Sequence, residues 1–313
     1  MQQIIRLLVF FCLIHSFATA QFRVVGYLNT WDHFPGNMRN VQFSKITHLN
    51  IAFAQPGATG NLTVIEGLPV VVKRAHELSV KVLISLGGAD LNGTGKNWRK
   101  YTDAAHVDEF CNRIAAYLIR NNLDGVDIDL EGNVIGHRYE GFIKTLSGKL
   151  RPAGKLLTAA VATWYEEQVP AACFAWFDFV NIMSFDLTGP GNAAGPGQHA
   201  PYSLAVEDIK FWRKKGLPRE KTGLGIPFYG YGFYANSTRG EIAYKDILRR
   251  YPGAEQKDKA GHTIYYNGMP TIGEKARLAL REASGIMIWQ LTEDAKGAHS
   301  LLNVVDSVVK HSR

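Results

Sequence analysis

The stretch Leu123-Asp124-Gly125-Val126-Asp127-Ile128-Asp129-Leu130-Glu131 alternates apolar and acidic side chains with a period of two. A β-strand points successive side chains to opposite faces, so Val126, Ile128 and Leu130 share one face while Asp127, Asp129 and Glu131 share the other. Same-face neighbours on a strand lie roughly 6.5 to 7 Å apart, which puts Asp129 within reach of both other acids. Carboxylates crowded together away from water cannot all ionise; protons are shared, and at least one pKa rises toward neutrality. A carboxyl group in that condition is suited to general acid chemistry.

Two plainer readings compete with this one. Acids are depleted in strands and seldom buried without partners, so a solvated edge strand is the ordinary meaning of an acidic alternation. Here the interleaved residues are β-branched or Leu, and the strand sits mid-chain between two helical patterns, which argues for burial. A calcium loop beginning at Asp127 finds Asp129 and Gly132 in place. It fails at Glu131, where Asp or Asn belongs, and at Arg138, which stands in place of the closing Glu.

Outward from this strand, strand-like and helix-like patterns alternate. Residues 23–28 and 46–53 read as the first two strands, 64–78 as a helix, and 80–86 as a third strand ending in Gly87-Gly88. A helix over 103–121 leads into the acidic strand, and a helix over 138–150 follows it. Strands are expected at 156–162, 179–184, 222–227 and 285–290, with helices at 170–177, 203–215, 272–283 and 301–311. Eight strands separated by helices imply a parallel sheet, which at this length closes as a (β/α)8 TIM barrel. The one oversized connection, 228–270, is a small insertion after strand seven, holding a helical run at 240–251 and a hairpin through 262–266. It is too short for an independent domain but long enough to wall one side of a cleft.

The chain has 313 residues, 46% of them hydrophobic, enough for a large core. Residues 1–20 combine a basic start at Arg6, an apolar run over 7–17 and the small-residue site Ala18-Thr19-Ala20, the pattern of a signal peptide. The mature protein is therefore expected to be residues 21–313, a single catalytic domain, secreted to an extracellular or periplasmic space. The apolar run is too short to span a bilayer, so no membrane attachment is expected after cleavage. Loss of Arg6 takes the formal charge from +7 to +6; without a basic cluster interleaved with aromatics, nucleic acid is not an expected partner. Cys111 and Cys173 fall in separate predicted helices, so no disulfide is expected between them. Asn61, Asn92 and Asn236 each begin an N-x-S/T acceptor pattern. A monomer is expected.

Active sites of such barrels form at the carboxyl ends of the strands, and the unusual residues of this sequence gather there. Tyr27 and Trp31 follow strand one, Gly87 and Gly88 end strand three, and Trp164 and Tyr165 follow strand five. Met183, Phe185 and Asp186 follow strand six, Tyr229 strand seven, and Trp289 and Gln290 close strand eight. Acids in the middle with aromatics around the rim describe a sugar site: pyranose faces stack on aromatic rings, and carboxyls handle hydroxyl and glycosidic oxygens. Other chemistries fit poorly. The histidines lack metal-ligand spacing, so neither metal nor cofactor is expected. Gly93-Thr94-Gly95-Lys96 lacks the leading Gly and closing Ser or Thr of a phosphate loop, and Gly230, Gly232 and Ala235 open no helix as a dinucleotide fingerprint would. No Gly-x-Ser-x-Gly elbow is present.

The pattern Asp124-Gly-x-Asp127-x-Asp129-x-Glu131 resembles the signature of glycoside hydrolase family 18, the chitinases and related endo-β-N-acetylglucosaminidases. Further matches follow in register: Ser85-Leu-Gly-Gly88, Met183-Ser-Phe-Asp186, Gly225-Ile-Pro-Phe-Tyr-Gly230 and Gly285-Ile-Met-Ile-Trp289. The resemblance implies retention of configuration by substrate assistance, an exception to the two-carboxylate glycosidase scheme. Glu131 protonates the glycosidic oxygen; the sugar's own 2-acetamido carbonyl attacks, giving an oxazolinium ion; Asp129 holds the acetamido N–H and turns between Asp127 and Glu131. Trp289 is then the floor under the sugar, with Tyr27, Met183, Phe185, Asp186 and Tyr229 as substrate contacts, and Asp124, Ser85, Gly87 and Gly88 as structural parts of the motifs. One position departs: the family carries Tyr where this chain has Phe185. Loss of one preorganised donor costs roughly 2.7 to 4 kcal/mol of transition-state stabilisation, for which Tyr229 or Tyr27 is a candidate replacement. The implied partner is chitin or another N-acetylglucosamine oligosaccharide, with an N-glycan core and a retired, lectin-like barrel as the two other readings.

Overall fold

The computed structural model describes residues 21–89, 93–189, 195–234 and 237–312. The expected signal peptide and the acceptor residues Asn92 and Asn236 lie outside these residues, while Asn61 is exposed. Among the described residues no helix is long and apolar enough to cross a membrane.

In chain order the elements are β1 (Arg23–Asn29), β2 (His48–Ala54), α1 (Leu68–Glu77), β3 (Lys81–Gly88), α2 (Gly95–Tyr101), α3 (Val107–Arg120), β4 (Gly125–Leu130), α4 (Tyr139–Leu150), β5 (Leu156–Val161) and β6 (Phe179–Ile182). They continue with α5 (Tyr202–Lys214), β7 (Thr222–Pro227), β8 (Tyr229–Tyr234), β9 (Ser237–Ala243), α6 (Tyr244–Arg250), β10 (Lys259–Ala260), β11 (Ile264–Tyr265), α7 (Met269–Glu282), β12 (Gly285–Trp289) and α8 (Leu301–His311). Eight of these strands close a parallel barrel in the order β1-β12-β7-β6-β5-β4-β3-β2. The fold is the expected (β/α)8 barrel.

The alternation in β4 sorts its residues between two environments. Val126, Ile128 and Leu130 turn outward into the large apolar layer between sheet and helices, and Asp127 and Asp129 turn into the barrel, 0% and 3% exposed. The helices face that layer through spaced apolar residues, as in α3, which buries Phe110, Cys111, Ile114, Tyr117 and Leu118. Cys111 and Cys173 are both free and buried.

Several expected boundaries move, each for a local reason. The helix placed at 64–78 starts at Leu68, because Gly67 adopts the left-handed conformation and Pro69 suits only a first turn. The helix placed from 103 starts at Val107; Asp103 instead accepts the backbone N–H of Ala105 and His106, closing a turn, and α2 before it was not anticipated. The helix placed at 170–177 is a short 3-10 turn, Ala171–Ala175. The largest correction concerns the insertion: residues 240–243, read as helical, belong to β9, and a four-stranded antiparallel sheet of order β10-β11-β8-β9 stands where only one hairpin was expected. The Tyr-Gly alternation of β8 permits this, since a Cβ on Gly230 would lie 2.3 Å from the Tyr265 carbonyl oxygen.

At the end of β3 the barrel demands glycine. Gly87 has φ 114°, and a Cβ there would lie 2.1 Å from the Asp129 carbonyl oxygen; Gly148, in α4, has open space around its Cβ position. We expect Gly87→Ala to destabilise the fold by roughly 2–6 kcal/mol through strain and overpacking, and Gly148→Ala to stabilise it by about 0.5–1 kcal/mol. Urea unfolding followed by circular dichroism reads both signs.

Candidate active site

The register of three neighbouring strands builds the centre of the site. Ser85 of β3 and Thr158 of β5 are both paired with Asp127 of β4. Their hydroxyls accordingly donate to opposite oxygens of its carboxylate, at 2.8 Å and 2.6 Å. Tyr27, from β1 across the barrel, donates to the same carboxylate at 2.6 Å. Burial still pushes the Asp127 pKa up, against the opposing pull of these hydrogen bonds. Tyr27 therefore lies beneath the cleft with its hydroxyl committed to Asp127, rather than facing substrate space or replacing the hydroxyl that Phe185 lacks.

Asp129 is held differently. Its Oδ1 is buried without a hydrogen-bond partner, in the lining of the cleft. Burial, then the charges of Glu131 and Asp127, drive its pKa well above the usual carboxylate range. Glu131 sits one residue beyond β4, and burial followed by the negative charge of Asp186 pushes its pKa to about 7. The raised pKa of Glu131 thus owes most to desolvation, and its second cause is an acid from the loop after β6.

The cleft above these acids holds about 500 Å³. Its floor is Trp289, which stacks on Phe53 with centroids 5.6 Å apart and planes at 18°. Trp31, 61% exposed, extends the stack at 6.1 Å from Phe53. Met183, Phe185, Asp186, Tyr229 and Gly87 line the same space, with Trp164 at its rim. The Tyr229 hydroxyl donates to Asp186. A second depression of about 680 Å³ begins at Glu131 and Trp164 and runs past Tyr165, His137 and Gln168. Glu131 lines both.

Of the remaining motif residues, Gly88 stays clear of a side chain because a Cβ would strike the Phe53 ring at 2.6 Å. Asp124 lies at the other end of the strand from Glu131, accepting from Val82 N at 2.7 Å and His76 Nε2 at 2.8 Å. Sequence reasoning missed Phe53, Gln55, His199, Tyr231 and Glu241. Gln55 follows β2 and was findable by the same strand-end rule; it donates to the Gly87 carbonyl and accepts from Trp98 Nε1. Tyr231 and Glu241 come from the antiparallel sheet of the insertion, which walls the cleft. Glu241 faces Glu293, whose pKa burial and the Glu241 charge push to about 9.

The sequence profile described as Glycosyl hydrolases family 18 matches residues 23–294. The chitinase ChiB from the chitin utilization locus of Flavobacterium johnsoniae is 36% identical, with a TM-score of 0.88 over 93% of this chain and 95% of that one. A chitinase from Bacteroides thetaiotaomicron is 30% identical, with a TM-score of 0.79 over 93% of this chain and 97% of its own. A chitinase-like effector of Moniliophthora perniciosa is 26% identical over 75% of this chain, which spans 61% of that relative's length.

The commitment of Tyr27 to Asp127 is testable without any substrate. Tyr27→Phe is expected to cost about 1–3 kcal/mol of stability, the cost of removing a buried donor from a carboxylate. Denaturant titration measures it, and an unchanged midpoint would contradict the assignment.

Proposed function

We propose that this chain, which belongs to glycosyl hydrolases family 18, is an exported, retaining endo-hydrolase of β-1,4-linked N-acetylglucosamine polymers, acting on chitin or its oligomers through residues 21–313. One observation carries the reading: Glu131, its pKa raised to about 7 by burial and Asp186, stands at the border of two open depressions, with Asp129 in the lining of one. A polymer lying through both depressions presents an internal linkage to Glu131, which supports cleavage within the chain rather than from its end. Stacked rings beneath one depression supply the platform for a sugar face.

In this reading Glu131 gives its proton to the glycosidic oxygen as the bond to the anomeric carbon breaks. The acetamido carbonyl of the same sugar attacks that carbon, and the unpartnered Oδ1 of Asp129 accepts the acetamido N–H. Asp127, tied to Ser85, Thr158 and Tyr27, stays in place as the charge against which Asp129 turns. Glu131 then takes a proton from the water that opens the oxazolinium ion, and configuration is retained. Asp186 and Tyr229 contact the sugar from the β6 and β7 side of the cleft.

A second reading has a specific motive. Phe185 brings a bare ring, edge-on to Tyr229 with centroids 6.2 Å apart, to the place of the family hydroxyl, and the hydroxyls of Tyr27 and Tyr229 are engaged with Asp127 and Asp186. A barrel that binds chitin oligomers and turns them over slowly or not at all fits that change, and the M. perniciosa relative carries the description chitinase-like effector.

Hydrolysis of a chitin hexamer, with the anomeric form of the first product recorded by NMR, decides between these readings: β-anomer release supports the retaining enzyme, and tight binding without release supports the lectin. Glu131→Gln is expected to lower kcat by about 10²–10⁴-fold with oligosaccharide affinity kept. Phe185→Tyr is expected to raise kcat by about a hundred- to a thousandfold. Because Glu131 must be protonated and its pKa is about 7, kcat/KM is expected to be level below that pH and to fall about tenfold per unit above it.

A further inference from the structure

Behind Asp186 lies a histidine that none of the proposed chemical steps uses. His199 is wholly buried, and its Nδ1 is 3.5 Å from Asp186 Oδ1. Neither ring nitrogen completes a hydrogen bond of good geometry, Asp186 and the Tyr229 backbone being the polar groups nearest to it, and a buried polar group left in that state asks for a reason. The ring is packed against Tyr229 and Tyr231, at centroid distances of 4.9 Å and 5.0 Å. Its backbone is pinned as firmly. The His199 carbonyl accepts from Leu187 N at 2.9 Å, and the next carbonyl, that of Ala200, accepts from Asn267 at 2.9 Å and from the buried Lys275 ammonium at 2.8 Å.

The object of this rigidity is also unusual. Asp186 has φ 63°, a left-handed conformation that costs a non-glycine residue free energy and persists where its surroundings over-determine it. The titratable groups facing His199 are Asp186, Tyr229 and Tyr231 of β8, and Lys275 of α7. Those facing Asp186 are the same two tyrosines, His199, Glu131 and Glu241.

We propose that His199 is a positioning residue: donating Nδ1–H to Asp186 from behind, it holds that carboxylate turned toward Glu131. It touches no substrate space itself. Without the donor, Asp186 is held by the Tyr229 hydroxyl and turns further toward solvent, its charge acts on Glu131 from further away, and Glu131 releases its proton at a lower pH. Burial, the larger influence on Glu131, is untouched, so the displacement is partial. The inference rests on Glu131 being the acid of the proposed reaction, yet it concerns that group's titration and can be read without turnover.

The test is the titration of Glu131 by NMR of protein carrying carboxyl-labelled glutamate, assigned with Glu131→Gln and paired with the pH profile of kcat/KM. His199→Phe, and His199→Ala as a second truncation, are expected to lower the midpoint by about 0.5–1 pH unit. His199→Asn, whose amide nitrogen takes the place of Nδ1, is expected to keep it. In an Asp186→Asn background neither truncation is expected to add anything, since the effect passes through Asp186. An unmoved midpoint in both truncations, or a shift that survives in the Asp186→Asn background, overturns the proposal. A protein that releases no sugar but shows these shifts refutes the hydrolase reading and leaves the positioning role standing.

Discussion

A carboxylate buried at the heart of a barrel is tolerable only when its lone pairs are met, and Asp127 is the point on which this structure turns. Three hydroxyls from three strands, Ser85, Thr158 and Tyr27, converge on it. Two of them come from residues the sheet register sets directly beside it, so closing the barrel and satisfying the charge are one event. The fixed charge of Asp127 then stands under Asp129, whose pKa it helps to raise.

From that anchor the acids grow less constrained toward solvent. Asp127 is fully hydrogen-bonded, Asp129 keeps an unpartnered oxygen, and Glu131, past the end of the strand, is only partly buried. In the proposed reaction this order suits a group that stays, a group that turns and a group that exchanges protons. The pKa of Glu131 is raised by burial and by Asp186 in the loop after β6, so β4 alone does not set its titration. Asp186 is in turn gripped by Tyr229 and backed by His199, which joins the loop after β6, the antiparallel insertion and α7 into one electrostatic unit.

The insertion contributes more than a wall. Its sheet brings Tyr231 and Glu241 into the cleft lining and places Tyr229 where its hydroxyl is given to Asp186. Phe185 stands among these groups without a hydroxyl of its own. The hydroxyls of Tyr27 and Tyr229 are given to Asp127 and Asp186.

Much was legible in the order of residues alone, because it depends on local periodicity. A period of two with β-branched residues on one side and acids on the other permits little besides a buried strand, and eight such strands between helices permit little besides a barrel. Asp129, Glu131, Asp186 and Trp289 lie near or just past the carboxyl ends of strands, where that architecture builds its sites. Residues whose meaning comes from contacts across the fold were not legible in this way. Gly87 and Gly88 are explained by Asp129 and Phe53, Tyr27 by a partner 100 positions away, and Glu241 and His199 by loops that meet only after folding. The Tyr-Gly repeat of β8 alternates aromatics with glycine, which is a strand signal, but its pairing with β9 and β11 depends on contacts across the insertion and had to be seen. Spacing along the chain determined which acids share a face; only closure of the barrel decided which one is hydrogen-bonded, which is left open, and which has its pKa raised by an acid from another element, because burial and long-range charge are properties of the assembled molecule.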